Sequence, residues 1–288
     1  ANPDGKTDST KSLISAWAVA CGWPRPTTIY VPPGRYLVQH VHFRGACQNK
    51  VITIRIDGTL VAPSDYNALR SVGNWILFEG VNGVTISGGI LDGQGTGLWA
   101  SKASSKLCPS TSPNTDGIHV QLLSSGVIIL RSKISTGDDC VSIVPGIANL
   151  QIKNYFCGPG HGIRTVALRK RSLPTVVVSP KTICGFCSIR ILGKDLQEAG
   201  VQNVTIKAIT FKGTQNGVRI KPWGRPRSGF VQGVLFWHAV MINVQNPIVI
   251  DQNYCPNNIN RPGQRTIGQY LLFDGVDNPE SINIYKEL

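Results

Sequence analysis

Apolar residues along this chain come in short alternating bursts, each opened by a glycine or an asparagine. The clearest are Gly83-Val84-Thr85-Ile86, Gly126-Val127-Ile128-Ile129, Asn149-Leu150-Gln151-Ile152, Asn203-Val204-Thr205-Ile206 and Gly233-Val234-Leu235-Phe236. A period of two rich in β-branched residues suits a half-buried pleated surface, and a turn residue in front of it marks where a strand begins, so each burst predicts one short strand. The first apolar positions, 84, 127, 150, 204 and 234, advance in steps of 43, 23, 54 and 30, close to one or two units of roughly 20 to 30 residues. Such spacing predicts a solenoid in which each coil buries its face against the next. Leucine-rich horseshoes and propellers repeat at similar lengths, but neither a Leu-periodic consensus nor a Gly-His to Trp-Asp blade signature is present. A parallel β-helix fits best. Its inward Val, Ile and Leu stack into a core, and outward side chains at matching positions line one external face and build a long groove.

Composition agrees. The chain has 288 residues, 41% of them hydrophobic, enough for a packed core, and 31 glycines with 18 prolines favour short strands and turns over long helices, so an all-β fold is expected. One domain over 1–288 is the expectation. Eight cysteines without paired CxxC blocks or His partners suit an oxidising compartment rather than a zinc site; Cys184 and Cys187 form one isolated CGFC. The chain starts at Ala1 with no charged and apolar leader, and it has no apolar run near the eighteen or so residues of a membrane span, so a mature, soluble, secreted protein is expected. Asn203-Val204-Thr205 is a glycosylation sequon at a coil start. The formal net charge of +13 draws polyanions in general. No helical basic region, zinc finger or RNP-like aromatic strand points to nucleic acid, so a polyanionic sugar or an acidic cell wall is at least as good a partner.

The polar outliers follow the repeat. Asp116, Asp138 and His161 advance along the chain in steps of 22 and 23, which predicts that the three stack on adjacent turns. Asp139 follows Asp138 directly and in a regular strand would face the other way, so a shared site requires a bend, which Gly137 permits. Arg219 and Lys221, two apart in a strand-like stretch, share a face. Glycoside hydrolysis uses such a set: one carboxylic acid protonates the leaving oxygen while an opposed carboxylate activates water. Mutual repulsion within a carboxylate cluster keeps one member protonated. The two cations would pair with an acidic sugar's carboxylates, and His161 could tune a neighbour's protonation. Taken singly, Asp and Gly are ordinary turn formers; the coincidence in coil register is the specific signal.

Four blocks, SPNTDGIHV at 112–120, STGDDCVSI at 135–143, CGPGHGI at 157–163 and GVRIKPW at 217–223, resemble in order the signature blocks of family 28 glycoside hydrolases, the polygalacturonases. The resemblance extends to DGKTDSTKSLISAWAVAC at 4–21 and NPIVIDQNYC at 246–255, and it looks plant-like. It implies a right-handed parallel β-helix that hydrolyses α-1,4 bonds of polygalacturonate with inversion, without a metal or organic cofactor. A monomer acting on pectin in the extracellular cell wall, with no membrane or nucleic-acid partner, is expected. Matched motif to motif, Asp138 would be the general acid, and Asp116 and Asp139 would hold and activate the water. Asn114, His161, Arg219 and Lys221 would bind substrate or support the acids, and Tyr254 would line a sugar subsite. Cys140 with Cys157 and Cys21 with Cys47 look like family disulfides.

The chain also departs from the family pattern. Only about a dozen residues separate Gly97-Leu98-Trp99 from the first block, where two further coils are usual, and residues 164–187 intervene after the third block. Removing this stretch turns the step of 54 into 30 and lowers the net charge from +13 to +8, because it carries Arg164, Arg169, Lys170, Arg171 and Lys181 and no acid. A protruding loop is expected there, either gripping substrate or being retained non-coding sequence. A truncated end is expected after Tyr254 and Cys255, and Cys108 lacks its usual neighbour. The rival readings are a binding β-helix of the same fold without turnover, and a pectate lyase, which would need calcium and give unsaturated products.

Overall fold

A computed structural model describes residues 1–69, 74–94, 116–121, 124–136, 139–143, 149–158, 162–166, 176–179, 182–184, 187–190, 201–202, 204–212, 216–221, 231–251, 270–274 and 282–285. Beyond Ile163 it gives chiefly the backbone and its register.

A strand of alternating apolar residues has one face to bury, and here each finds its cover in the same strand of the next coil. Val84–Ser87 runs parallel between Ile52–Ile56 and Ile128–Leu130, which brings Ile54, Ile86 and Ile129 into one column, and Ile152 extends it. All four are at most 3% exposed. A second column joins Tyr36, Leu60, Leu91, Ile134 and Cys157. A third belongs to a nine-stranded sheet and joins Val41, Ile76, Ile118, Val141 and Ile163. The first two stacks merge where the long strands Val204–Lys212 and Val231–Ile242 contribute to both. Three parallel stacks around one apolar core make the expected parallel β-helix.

The residues opening the bursts earn that place through backbone shape. Gly83, Gly126 and Asn149 have φ of 69°, 62° and 54°, the left-handed region that glycine adopts freely and asparagine tolerates. At Gly83 a Cβ would also stand 1.8 Å from the Lys50 carbonyl oxygen of the preceding coil, so no side chain fits.

Two features differ from expectation. A helix, Thr10–Gly22, packs on Thr27–Val31 and Val41–Arg44. It buries Leu13, Trp17 and Ala20, whose spacing of four and three is the helical period. The Trp17 ring lies 4.8 Å from Phe43, its Nε1 donates to the Arg44 carbonyl at 3.1 Å, and the Cys21–Cys47 disulfide fastens the helix end. The stretch 164–187, expected as a protruding loop, instead supplies Val176–Ser179 and Thr182–Cys184. The first pairs with Leu150–Lys153 and Val204–Lys212, the second with Phe156–Cys157 and Val204–Lys212. Cys187–Arg190 then enters the nine-stranded sheet between Gly162–Val166 and Asn216–Lys221. The physical reason is length and composition: Ile163 and Cys187 are register partners, so the chain between them spans one full coil, and Val176-Val177-Val178 is a β-branched strand former. Asn203 of the sequon lies outside the described residues.

Candidate active site

The site is set by five consecutive rungs of the nine-stranded sheet: Asp116–Gln121, Asp139–Ile143, Gly162–Val166, Cys187–Arg190 and Asn216–Lys221. In the first of them Ile118 and Val120 are fully buried in the core, while His119 and Gln121 alternate onto the partly exposed outer face. Ile118 stands beside Val141. Asp116 opens the first strand and Asp139 the second, and the two strands pair from Ile118 with Val141 to Val120 with Ile143, so the aspartates sit at the same end of neighbouring rungs. Both carboxylates are buried, at 3% and 6% exposure.

Asp116 and Asp139 thus share one end of adjacent rungs, while the expected stacking of Asp116 with Asp138 and His161 falls on residues outside the described ones. The ladder shifts between Asp139 and Val141: Asp139 faces Gly162 and Val141 faces Ile163, which leaves Cys140 as an extra residue. This irregularity lies at Cys140; Gly137, the expected place of a bend, and Asp138 lie outside the described residues. Cys140 is held there by its disulfide to Cys157, with its Sγ 3.5 Å from the Ile134 carbonyl. Gly117 packs directly on it, since a Cβ would lie 2.7 Å from the Cys140 oxygen. The Cys140–Cys157 bridge therefore fixes the bulge that carries Asp139.

Asp116 accepts a hydrogen bond through Oδ2 from His119 Nδ1 at 3.2 Å when that nitrogen carries the proton. Its Oδ1, buried, has no hydrogen-bond partner among the described residues, and the same holds for Asn74 Oδ1 and Ser142 Oγ. Asn74 is the register partner of Asp116 on the preceding rung, and Ser142 is that of His119 on the following one. Buried polar atoms left unpaired cost about 1–3 kcal/mol each, so these three on consecutive rungs call for polar partners, which bound water or a ligand supplies. Alternation along a strand does not pair positions three apart, which is why His119 escaped the reading by repeat; its sequence signal is a titratable outward residue between two core positions.

Arg219 and Lys221 sit on the Asn216–Lys221 rung, in register with Ser188 and Arg190. They share the sheet with the acids, but the Gly162–Val166 and Cys187–Arg190 rungs intervene between them and Asp139. Asn114, Asp138, His161 and Tyr254 lie outside the described residues. Among the described residues no group of three or more His, Cys, Asp or Glu could hold a metal ion. The arrangement offers two buried carboxylates on neighbouring rungs, able to hold and activate a water molecule, with Arg219 and Lys221 on a later rung of the same sheet.

Residues 21–111, 107–185 and 187–268 match the family model "Glycosyl hydrolases family 28". A polygalacturonase of Prunus persica is 50% identical over 312 residues, covering 92% of this chain and 73% of that protein. An exopolygalacturonase of Platanus acerifolia is 34% identical over 302 residues, covering 88% and 73%. Among solved structures, the polygalacturonase from Erwinia carotovora ssp. carotovora superposes with a TM-score of 0.64 at 15% identity, covering 99% of this chain and 98% of that one. The endo-xylogalacturonan hydrolase from Aspergillus tubingensis gives 0.61 at 16% identity, covering 90% and 77%. These structural likenesses show the shared β-helix. With the family model matching most of the chain and a relative half identical to it, the chain belongs to the glycosyl hydrolases of family 28.

Proposed function

We propose that this chain is a polygalacturonase that hydrolyses α-1,4-galacturonosyl bonds of pectin with inversion. The observation that carries the reading is the placement of Asp116 and Asp139, two buried carboxylates at the same end of neighbouring strands of one sheet. In this mechanism Asp138 donates a proton to the glycosidic oxygen as it leaves. Asp116 and Asp139 bind the attacking water, orient it toward the anomeric carbon from the opposite side, and take its proton as the bond to carbon forms. Asn114 and His161 support this set, and Arg219, Lys221 and Tyr254 bind the sugar chain. The relatives' names supply the substrate class, and the net charge of +13 suits a polyanion.

The protein acts as a secreted monomer in the plant cell wall. The Cys21–Cys47 and Cys140–Cys157 disulfides suit an oxidising exterior. Among the described residues no helix is long and apolar enough to cross a membrane.

The test is release of reducing ends from polygalacturonate at mildly acid pH by the wild-type chain and by Asp138→Asn. Loss of the general acid should lower kcat by about 10²–10⁴-fold without loss of fold. Products absorbing in the ultraviolet would mean elimination and overturn hydrolysis. A folded chain that binds polygalacturonate and releases no ends would be a binding β-helix.

A further inference from the structure

The rung Cys187–Arg190 changes which cations stand next to the acids. Along the nine-stranded sheet Ser142, Arg164, Ser188 and Arg219 are successive register partners, and two residues further along the same strands so are Val166, Arg190 and Lys221. Arg164 is one rung from the strand that carries Asp139, whereas Arg219 is three rungs from it. At about 4.8 Å per rung their strands lie roughly 5 Å and roughly 14 Å across the sheet from it, and both arginines are level with Ser142, further along the strands than Asp139.

Arg190 and Lys221 are direct register neighbours, and like charges placed opposite one another across strands destabilise a sheet. Ile220 pairs with Ile250, so Asp251 follows at the register position beyond Lys221. Arg164, Arg190 and the pair Arg219 and Lys221 thus occupy register positions on three successive rungs, with Asp251 on the rung after them. A row of cations that repel one another is stabilised by an anion lying along it, and a guanidinium's planar fork matches a carboxylate with two parallel hydrogen bonds.

We infer that Arg164 and Arg190 form a uronate-binding subsite between the acids and the Arg219–Lys221 pair, taking sugar carboxylates close to the reacting bond. Arg219 and Lys221 then serve the next sugar along. This rests on the polygalacturonase reading for its ligand and assigns a role to residues of the stretch that begins at position 164.

Calorimetric titration with polygalacturonate, carried out on Asp138→Asn so that no substrate is consumed, tests it. The added pair Arg164→Ser and Arg190→Ser should raise Kd at least about tenfold, the order expected on losing charge-assisted bonds, and Arg164→Lys with Arg190→Lys should restore part of that loss. Binding of fully methyl-esterified pectin, which lacks the carboxylates, should not change. On the unaltered chain, bound polygalacturonate should slow phenylglyoxal modification of Arg164 and Arg190 severalfold, mapped by peptide mass spectrometry; this arm needs no variant to fold. Unchanged Kd, or equal modification rates with and without polymer, overturns the subsite. Absence of any polygalacturonate binding by the unaltered chain overturns the substrate class itself.

Discussion

Asp116 has two oxygens in unequal settings. Oδ2 is held by His119 at 3.2 Å, and Oδ1 is buried with no hydrogen-bond partner among the described residues. A carboxylate fixed at one oxygen presents the other in a set direction, which is what orienting a water for attack requires. His119 is therefore a positioning residue: removing it should leave substrate binding alone and loosen the geometry of attack. His119→Ala is expected to lower kcat by about 10- to 100-fold with KM within about twofold. His119→Asn, whose amide N–H can occupy the place of Nδ1–H, should recover part of the loss. Steady-state kinetics on polygalacturonate checks this, and a KM effect with kcat intact would refute it. Single residues were legible in the sequence where alternation governs them. Val84, Ile86, Val127, Ile129, Leu150 and Ile152 are buried as their alternation announces, whereas the contact between Asp116 and His119 joins positions that alternation assigns to opposite faces.

The strand Asp139–Ile143 departs from regular alternation, since all five of its residues are buried. Its extra residue, Cys140, is clamped by the disulfide to Cys157 and by the close approach of Gly117. Gly117→Ala would push a methyl to 2.7 Å from the Cys140 oxygen and 2.9 Å from Ile134 Cγ2. Neither neighbour can swing aside freely, one being backbone and the other a fully buried core side chain. The expected cost is about 1–3 kcal/mol, read as a Tm lower by several degrees. Hydrolytic activity should fall further than stability explains, because the displaced strand carries Asp139. A melt and an activity within error of wild type would show that the bulge does not depend on this contact. At this scale the sequence announced that a bend was needed, because two adjacent aspartates cannot share one face of a regular strand. The irregularity at Cys140 was not legible, because it depends on a disulfide partner well along the chain, Cys157. The helix Thr10–Gly22 had a readable signature in Leu13, Trp17 and Ala20, which the glycine- and proline-rich composition of the whole chain masks.

In a solenoid, length arithmetic has a degeneracy that bears on the whole molecule. Register partners on successive rungs, Ile118, Val141, Ile163 and Cys187, advance along the chain in near-equal steps of 23, 22 and 24. A stretch of one coil's length can leave the helix as a loop or join it as one more coil, and the remaining repeats keep the same spacing either way. Only hydrogen-bond register separates the two, and it places the stretch within the stack. Because each coil touches only its neighbours, removing one whole coil should cost little more than its own two interfaces. Deleting residues 164–187 joins Ile163 to Ser188, with Ile163 taking the place of its own register partner Cys187. The shortened chain is expected to fold, with the far-ultraviolet circular dichroism of the parent and a Tm within a few degrees. Its net charge falls to +8, yet Arg219 and Lys221 move one rung, about 4.8 Å, closer to Asp116 and Asp139. It should therefore keep polygalacturonate affinity within severalfold, although it has lost Arg164, whereas the full-length chain carrying Arg164→Ser and Arg190→Ser should not. If the deletion weakens binding as much as the double substitution does, proximity of Arg219 and Lys221 to the acids does not govern affinity. If the shortened chain fails to fold, the coil is required by the stack and is not an interchangeable unit of it.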